Sequence, residues 1–321
     1  APPPEEGGAE LMLKEGLFRD FKPEAVFGLH VFSTLRSDTI GVRRGPFMAA
    51  SDRFSIQVQG RQTHGSRPWG GVDPVVASAS LIDALQTVVS RRTDIASIPA
   101  VVTVGSIHGG IRYNIIPDKV EMEGTLRTFS DEQRARIVQD MRNVVEHTAA
   151  AHGAKGTLEI SEQVGNPVTY NDPALTERIL PSLRAVAGAA KVVETPLITG
   201  AEDFSYFAKT VPGVFFFVGS TGPEVGDPLA APSNHSPLFR LDEAALDLGT
   251  NNCRLLVAKP LVGGGFRVID AFSRIVRLGE GVSRTRMLSE AAMERSLAAL
   301  RICAAKLERR GVTAVRAVAT E

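Results

Sequence analysis

Apolar and polar residues alternate through "DRFSIQVQG", with Phe54, Ile56 and Val58 on one face, the pattern of a strand buried on one side. "DPVVASASLIDALQTVVSRR" reads as a helix with Asp73 as N-cap and Pro74 in its first turn. "AVVTVGSIHGG" and "DKVEMEGTLRTF" are two further strands joined around "IRYNIIP". In "SDEQRARIVQDMRNVVEHTAAAHG", Ile137, Met141, Val144, Val145 and Thr148 recur at helical spacing. Ser130 and Gln133 form a capping-box pattern there, and Gly153 supplies the stop. A strand, "GTLEISEQ", closes the series. The order β-α-β-β-α-β between Ser51 and about Gln163 predicts a ferredoxin-like sandwich, one sheet covered by two helices on one face.

The pattern changes on either side. "AVFGLHV" and "VFFFVGS" are short apolar runs, expected of strands buried on both faces of a parallel sheet, and "DPALTERILPSLRAVAG" between them is a helix candidate. An α/β body is therefore expected to be interrupted by the small sandwich. Its share ahead of the insertion is short, and the chain opens abruptly on "APPPEEGG" without Met, so an N-terminal portion is expected to be missing. Beyond Asp247, "NCRLLVA" and "GFRVIDAFSRIVRLG" read as strands of a meander. An amphipathic helix follows, with Met293, Leu297, Leu300, Ala304 and Leu307 on one face, Ser289 as cap and Gly311 as stop; "VTAVRAVATE" begins another strand.

Composition narrows the function classes. A chain of 321 residues with 43% hydrophobic and 22% charged residues suits a globular protein of two or three domains. The net charge of +0 gives no reason to expect nucleic acid or an anionic membrane as partner, and no apolar run approaches a membrane span. Two cysteines, Cys253 and Cys303, suit a reducing, cytoplasmic setting without a disulfide framework.

The candidate chemistry lies in Glu5-Glu6, His30 and His235. Carboxylate oxygen and imidazole nitrogen are the usual ligands of a catalytic zinc, and a second carboxylate could take the proton from a metal-activated water. Adjacent glutamates can divide those roles. Each residue also has a plainer reading: a solvated charge pair for the glutamates, a satisfied core histidine for His30, and turn chemistry for His235 beside Asn234 and Ser236-Pro237.

Six ordered motifs, "PEEGGAELMLKEGLF", "VFGLHV", "FSIQVQGRQTHGSRPWGGVDPV", "GGIRYNIIPDKVEMEGTLRTF", "TGAEDFSYF" and "NHSPLF", resemble the zinc-dependent amidohydrolase family of metallopeptidases. That family includes hippurate hydrolases, aminoacylases and auxin-conjugate hydrolases. The resemblance covers residues 1–246 and implies a catalytic α/β domain (1–45 and 161–246) interrupted by a lid and dimerisation domain (46–160). It implies two divalent metals per site, zinc or manganese, an N-acyl or N-carbamoyl amino acid as substrate, and a homodimer. By the same resemblance Glu5 is the general base, and Glu6 and His235 bind one metal while His30 binds its neighbour. His64 reaches the partner's site to steady the oxyanion, and Asn114 contacts substrate. Arg127 does likewise or pairs with a carboxylate, and Glu202 and Asp203 orient ligands or the loop. His108, His147 and His152 match nothing and read as surface or structural residues. The family's other ligand motifs, Gly-Cys-Gly-His-Asp or His-x-Asp, do not occur in the chain, so an impaired hydrolytic site is expected.

"ALDLGTNNCRLLVA", "FRVIDAFSRIVRLGEGV", the helix after Ser289 and "RAVATE" resemble instead the opening of exopolyphosphatase and guanosine pentaphosphatase phosphohydrolases, of the actin-like ATPase (ribonuclease H-like) superfamily. Over residues 247–321 this implies a partial actin-like domain in which Asp247, Gly249, Thr250 and Asn251 wrap phosphate, with Mg2+ possible. "DLGTNN" by itself is equally a plain hairpin turn. Both texts share an "AL-x-LG" pattern, so a fusion of two incomplete reading frames near Leu246 is expected. Three functions are open at this point: hydrolysis of the amide bond, phosphohydrolysis by the tail, or a non-catalytic lid that dimerises.

Overall fold

The computed structural model describes residues 8–19, 22–161, 165–242, 252–260, 266–275 and 290–310. The chain forms two compact units, one of residues 1–29, 42–181 and 194–216, the other of 30–41, 182–193 and 217–321. In chain order the elements are α1 (Gly8–Lys14), β1 (Val26–Arg36), β2 (Ile40–Val42), β3 (Gly45–Met48), β4 (Ala50–Gln59), β5 (Thr63–His64), α2 (Pro74–Arg92), β6 (Val101–Gly109), β7 (Ile115–Ile116) and β8 (Lys119–Thr128). They continue as α3 (Asp131–Ala151), β9 (Lys155–Ile160), β10 (Thr169–Asn171), α4 (Pro173–Ala187), β11 (Val192–Glu194), α5 (Phe204–Thr210), β12 (Gly213–Thr221), β13 (Asn252–Pro260) and β14 (Phe266–Ile275), with a helix at Glu290–Arg309.

In the first unit β6-β8-β4-β9 form a sheet in that order, antiparallel at each pairing. The alternation along β4 behaves as read: Phe54, Ile56 and Val58 are buried with Leu81 and Leu85 of α2 and Ile137, Met141 and Val145 of α3. Phe54 sits opposite Gly124, where an added Cβ would lie 2.2 Å from the Phe54 ring and 2.2 Å from the Thr103 carbonyl, so the crossing requires glycine. Asp73 caps α2 by accepting the Val75 and Val76 N–H groups, and Gly153, at φ +72°, follows α3.

The capping box is only half made. Ser130 Oγ accepts the Gln133 N–H at 3.0 Å, but the Gln133 amide accepts from Phe129 N and donates to the Ile98 and Pro99 carbonyls. Gln133 is buried, and the loop before β6 offers its side chain two otherwise competing acceptors.

A second sheet has the order β1-β12-β2-β11. Val26 N–H bonds Pro212 O and Ser37 N–H bonds Thr221 O, which makes β1 and β12 parallel, as expected. The β2–β12 pairing is antiparallel, because the chain reverses through Thr39 N–H to Arg36 O. β12 is buried almost throughout, but β1 is not: Phe27 and Leu29 are 53% and 55% exposed. Among the described residues β1 has a neighbour on one side only and no layer covers Phe27 and Leu29, so the sequence's expectation of burial on both faces fails there.

The C-terminal meander begins as the hairpin β13–β14. Among the described side chains of the helix Glu290–Arg309 the buried ones are Ala299 and Cys303, whereas Leu297 and Leu300 stand 54% and 55% exposed, Ala304 is exposed and Leu307 is half-buried; the Met293 side chain lies outside the described residues. The expected apolar face is thus covered only in part: Ala299 and Cys303 are buried instead, and Leu297 and Leu300 find no cover among the described residues. Ser289, Gly311 and the "VTAVRAVATE" strand lie outside the described residues.

Candidate active site

His30 sits on β1 and His235 in the exposed loop that follows β12. Several bonds build that loop onto β1. The Arg36 guanidinium donates to the carbonyls of Gly222 (2.7 Å), Val225 (2.6 Å) and Gly226. Thr221 Oγ1 donates to Ser33 O, and Phe32 stacks on Phe217 with ring centroids 4.1 Å apart. The side chain of Asn234 then reaches β1 twice: Ser33 N–H donates to Oδ1 at 3.1 Å, and Nδ2 donates to Val31 O at 2.7 Å. His30 and His235 therefore each lie one residue from a partner in the same hydrogen bond. A tight turn, Ser236 N–H to Ser233 O at 2.8 Å, also encloses His235, so the turn chemistry read from the sequence is present as well.

The His30 ring bonds Val31 O through Nδ1. A carbonyl only accepts, so Nδ1 carries a hydrogen, and in the neutral ring Nε2 keeps the lone pair that an imidazole ligand needs. The donor chemistry of the His30–His235 pair thus fits a divalent cation. Among the described residues no group of three or more His, Cys, Asp or Glu side chains is placed to hold one, and Glu5 and Glu6 lie outside those residues.

Asp203 shows what its motif does locally. Its Oδ2 accepts the Ala9 N–H at 2.9 Å, in the first turn of α1, and consequently makes no cap bond to α5, which it precedes. It thereby grips the helix that follows Glu5-Glu6 in the chain. Glu202 contributes its backbone carbonyl, which accepts from Thr169 Oγ1 and Ser205 N. Next along, the Tyr206 hydroxyl donates to Gly165 O. Burial first, then Glu10 and Asp203, push its pKa up to about 12.

His64 and Asn114 come together in the first unit. β5 pairs with β7 so that His64 faces Ile115, and Gly65 N–H donates to Asn114 O at 2.8 Å. His64 is exposed, and Ser66 N–H and Oγ both bond its Nδ1, at 3.2 and 2.8 Å. An N–H only donates, so Nδ1 accepts and the neutral ring carries its hydrogen on Nε2. Arg127 bonds Thr125 Oγ1 and Leu126 O, and burial pulls its guanidinium below the ordinary range while Asp52 pushes it back. The Arg134 guanidinium donates to both Asp52 carboxylate oxygens through Nε and to Oδ1 through Nη2, at 2.7 to 3.0 Å. His108, His147 and His152 are all exposed, as expected. Asp247, Gly249, Thr250 and Asn251 lie outside the described residues.

The sequence reading passed over Asn234, Ser66 and Tyr206. Asn234 and Ser66 each have a local signal, a polar side chain one or two residues from a candidate histidine; the partners of Asn234 on β1 are some two hundred residues away.

A family model for peptidase family M20/M25/M40 matches residues 2–257, and one for the Ppx/GppA phosphatase family matches residues 257–321. Over 253 residues the chain is 35% identical to thermostable carboxypeptidase 2 of Saccharolobus solfataricus, covering 79% of this chain and 62% of the relative. It is 36% identical over 241 residues to an N-acetyl-L-cysteine deacetylase of Bacillus subtilis, covering 74% and 54%. A solved Bacillus subtilis dinuclear metal binding peptidase of the M20 family superposes with a TM-score of 0.61 at 31% identity, covering 76% of this chain and 59% of that one. The chain spans less than two thirds of the length of each. No described helix is long and apolar enough to cross a membrane. With its ordered motifs, mixed α/β fold and these matches, the chain belongs to peptidase family M20/M25/M40.

Proposed function

We propose that the chain is built for metal-dependent hydrolysis of the amide bond of N-acyl or N-carbamoyl amino acids, in the manner of hippurate hydrolases, with an impaired site because the Gly-Cys-Gly-His-Asp and His-x-Asp ligand motifs do not occur in it. The observation that carries this reading is the Asn234 bridge, which seats His30 and His235 either side of one bond to β1 while His30 keeps Nε2 free. Similarity to a deacetylase and to a dinuclear metal binding peptidase supports it.

In this reading Glu6 and His235 hold one divalent cation, zinc or manganese, and His30 holds a second. When bound, such a cation polarises the carbonyl and lowers the pKa of water toward neutrality. Glu5 takes the proton and returns it to the leaving amine. His64 donates its Nε2–H where negative charge collects on the carbonyl oxygen, acting on the site of a second copy. Asn114, fixed beside His64 through Gly65, orients the substrate, and Arg127 either contacts substrate too or pairs with a carboxylate, for which Asp52 is the neighbouring candidate. Asp203 steadies α1, the helix that follows the two glutamates in the chain.

Residues 46–160 are proposed as a ferredoxin-like lid and dimerisation domain, which the antiparallel order β9-β4-β8-β6 supports. Residues 1–45 and 161–246 are proposed as the catalytic α/β domain, and 247–321 as part of an actin-like domain. A second reading, phosphohydrolysis by that last segment, is favoured only by the Ppx/GppA match.

The test is an assay of the full chain, stripped with chelator and reloaded with zinc or manganese, against hippurate, N-acetyl and N-carbamoyl amino acids. Weak metal-dependent amine release is expected, with Glu5→Gln lowering it by about 10²–10⁴-fold; stoichiometric metal with brisk turnover would contradict the impairment. Phosphate release from polyphosphate without amine release in either metal would favour the second reading.

A further inference from the structure

Asn234 is not one of the residues read as a ligand, yet its amide makes two of the bonds that fix the loop to β1. Oδ1 takes the Ser33 N–H and Nδ2 donates to Val31 O, an i, i+2 pair on one strand edge. A neighbouring strand would bond those same two groups, so a single side chain replaces one step of a ladder. Few alternatives reproduce it. Serine is too short to span both groups, aspartate sets an oxygen against the Val31 carbonyl, and glutamine pushes the loop outward by one methylene. Ser33 is buried, at 2% exposure, so its N–H has no water to turn to if Oδ1 is removed.

Val31 O accepts a second time, from His30 Nδ1. One carbonyl therefore anchors the His235 loop and fixes the tautomer of His30. We infer that Asn234 is a positioning residue for the two imidazoles: it seats His235 against the strand that presents His30, through the carbonyl that sets the His30 ring. It acts through those residues and touches neither substrate nor cation. The inference rests on the metal-dependent reading above and extends it to a residue that does not ligate.

The experiment compares the full chain with Asn234→Ala, Asn234→Asp and His235→Ala, by amide hydrogen exchange without metal and by zinc titration. In Asn234→Ala the Ser33 amide is expected to exchange at least about tenfold faster, and zinc affinity to fall by roughly 10–100-fold. Asn234→Asp keeps an acceptor for Ser33 and is expected to keep its slow exchange, which separates loss of this bond from general loosening. Slow exchange on β4 and β8 in every variant checks that the sandwich stays folded. An unchanged Ser33 amide, or zinc affinity within about twofold of the unsubstituted chain, in Asn234→Ala overturns the inference. If His235→Ala weakens zinc binding while Asn234→Ala does not, this inference alone fails. If His235→Ala binds zinc as before, the metal reading fails and takes the inference with it.

Discussion

Two helices of this chain carry the same sequence signal and meet different fates. On α3, Ile137, Met141 and Val145 recur at helical spacing and are 0% to 1% exposed. On the helix Glu290–Arg309, Leu297 and Leu300 recur as regularly and remain more than half exposed. The difference lies in what each helix meets. α3 shares a core with α2 and a four-stranded sheet, whereas among the described residues the C-terminal helix meets a two-stranded hairpin, a partner too small to cover a wide stripe. Periodicity states which face is apolar; only the partner decides whether it is buried.

The comparison breaks first in the core of the sandwich. Phe54→Ala is expected to cost about 3–5 kcal/mol, since the ring is fully buried over Gly124, and urea unfolding followed at the β4 amides measures it. Asp52→Ala comes next, at about 2–3 kcal/mol. That is below the loss for a fully buried pair, because the Asp52 side chain is 8% exposed but Arg134 is 35% exposed. A double-mutant cycle with Arg134→Ala isolates the pair.

Tyr206 gives a smaller, pH-dependent effect. Its folded pKa of about 12 lies above the ordinary 10.0, so its contribution is complete below pH 10 and is lost as pH rises toward 12. Thermal melts are expected to fall less steeply over that window in Tyr206→Phe. Smallest is Leu297→Ser, expected to change stability by no more than about 0.5 kcal/mol; a loss of several would show that the exposed stripe has a cover.

The sandwich was legible because its elements are local: alternation in β4, the Asp73 cap and the Gly153 stop each declare themselves within a few residues. What failed was non-local. Gln133 left its capping role for the Ile98 and Pro99 carbonyls, and β1 kept Phe27 and Leu29 exposed because its pairing partner is a matter of topology. The candidate site divides the same way. His30, His64 and His235 could be nominated from motifs, but the bonds around them, from Val31 O to His30, from Ser66 to His64 and from Asn234 to β1, are set by the fold. Ser66 lies two residues from His64 and could have been noticed; the span from Asn234 to β1 is visible only in the fold.

The most direct test of the central claim, that His30 and His235 are imidazole donors to a divalent cation, is zinc K-edge X-ray absorption on the zinc-loaded full chain. Imidazole scattering is predicted, weakened in His30→Ala and in His235→Ala and unaltered in the surface control His108→Ala. The same spectrum from all four proteins would contradict the account.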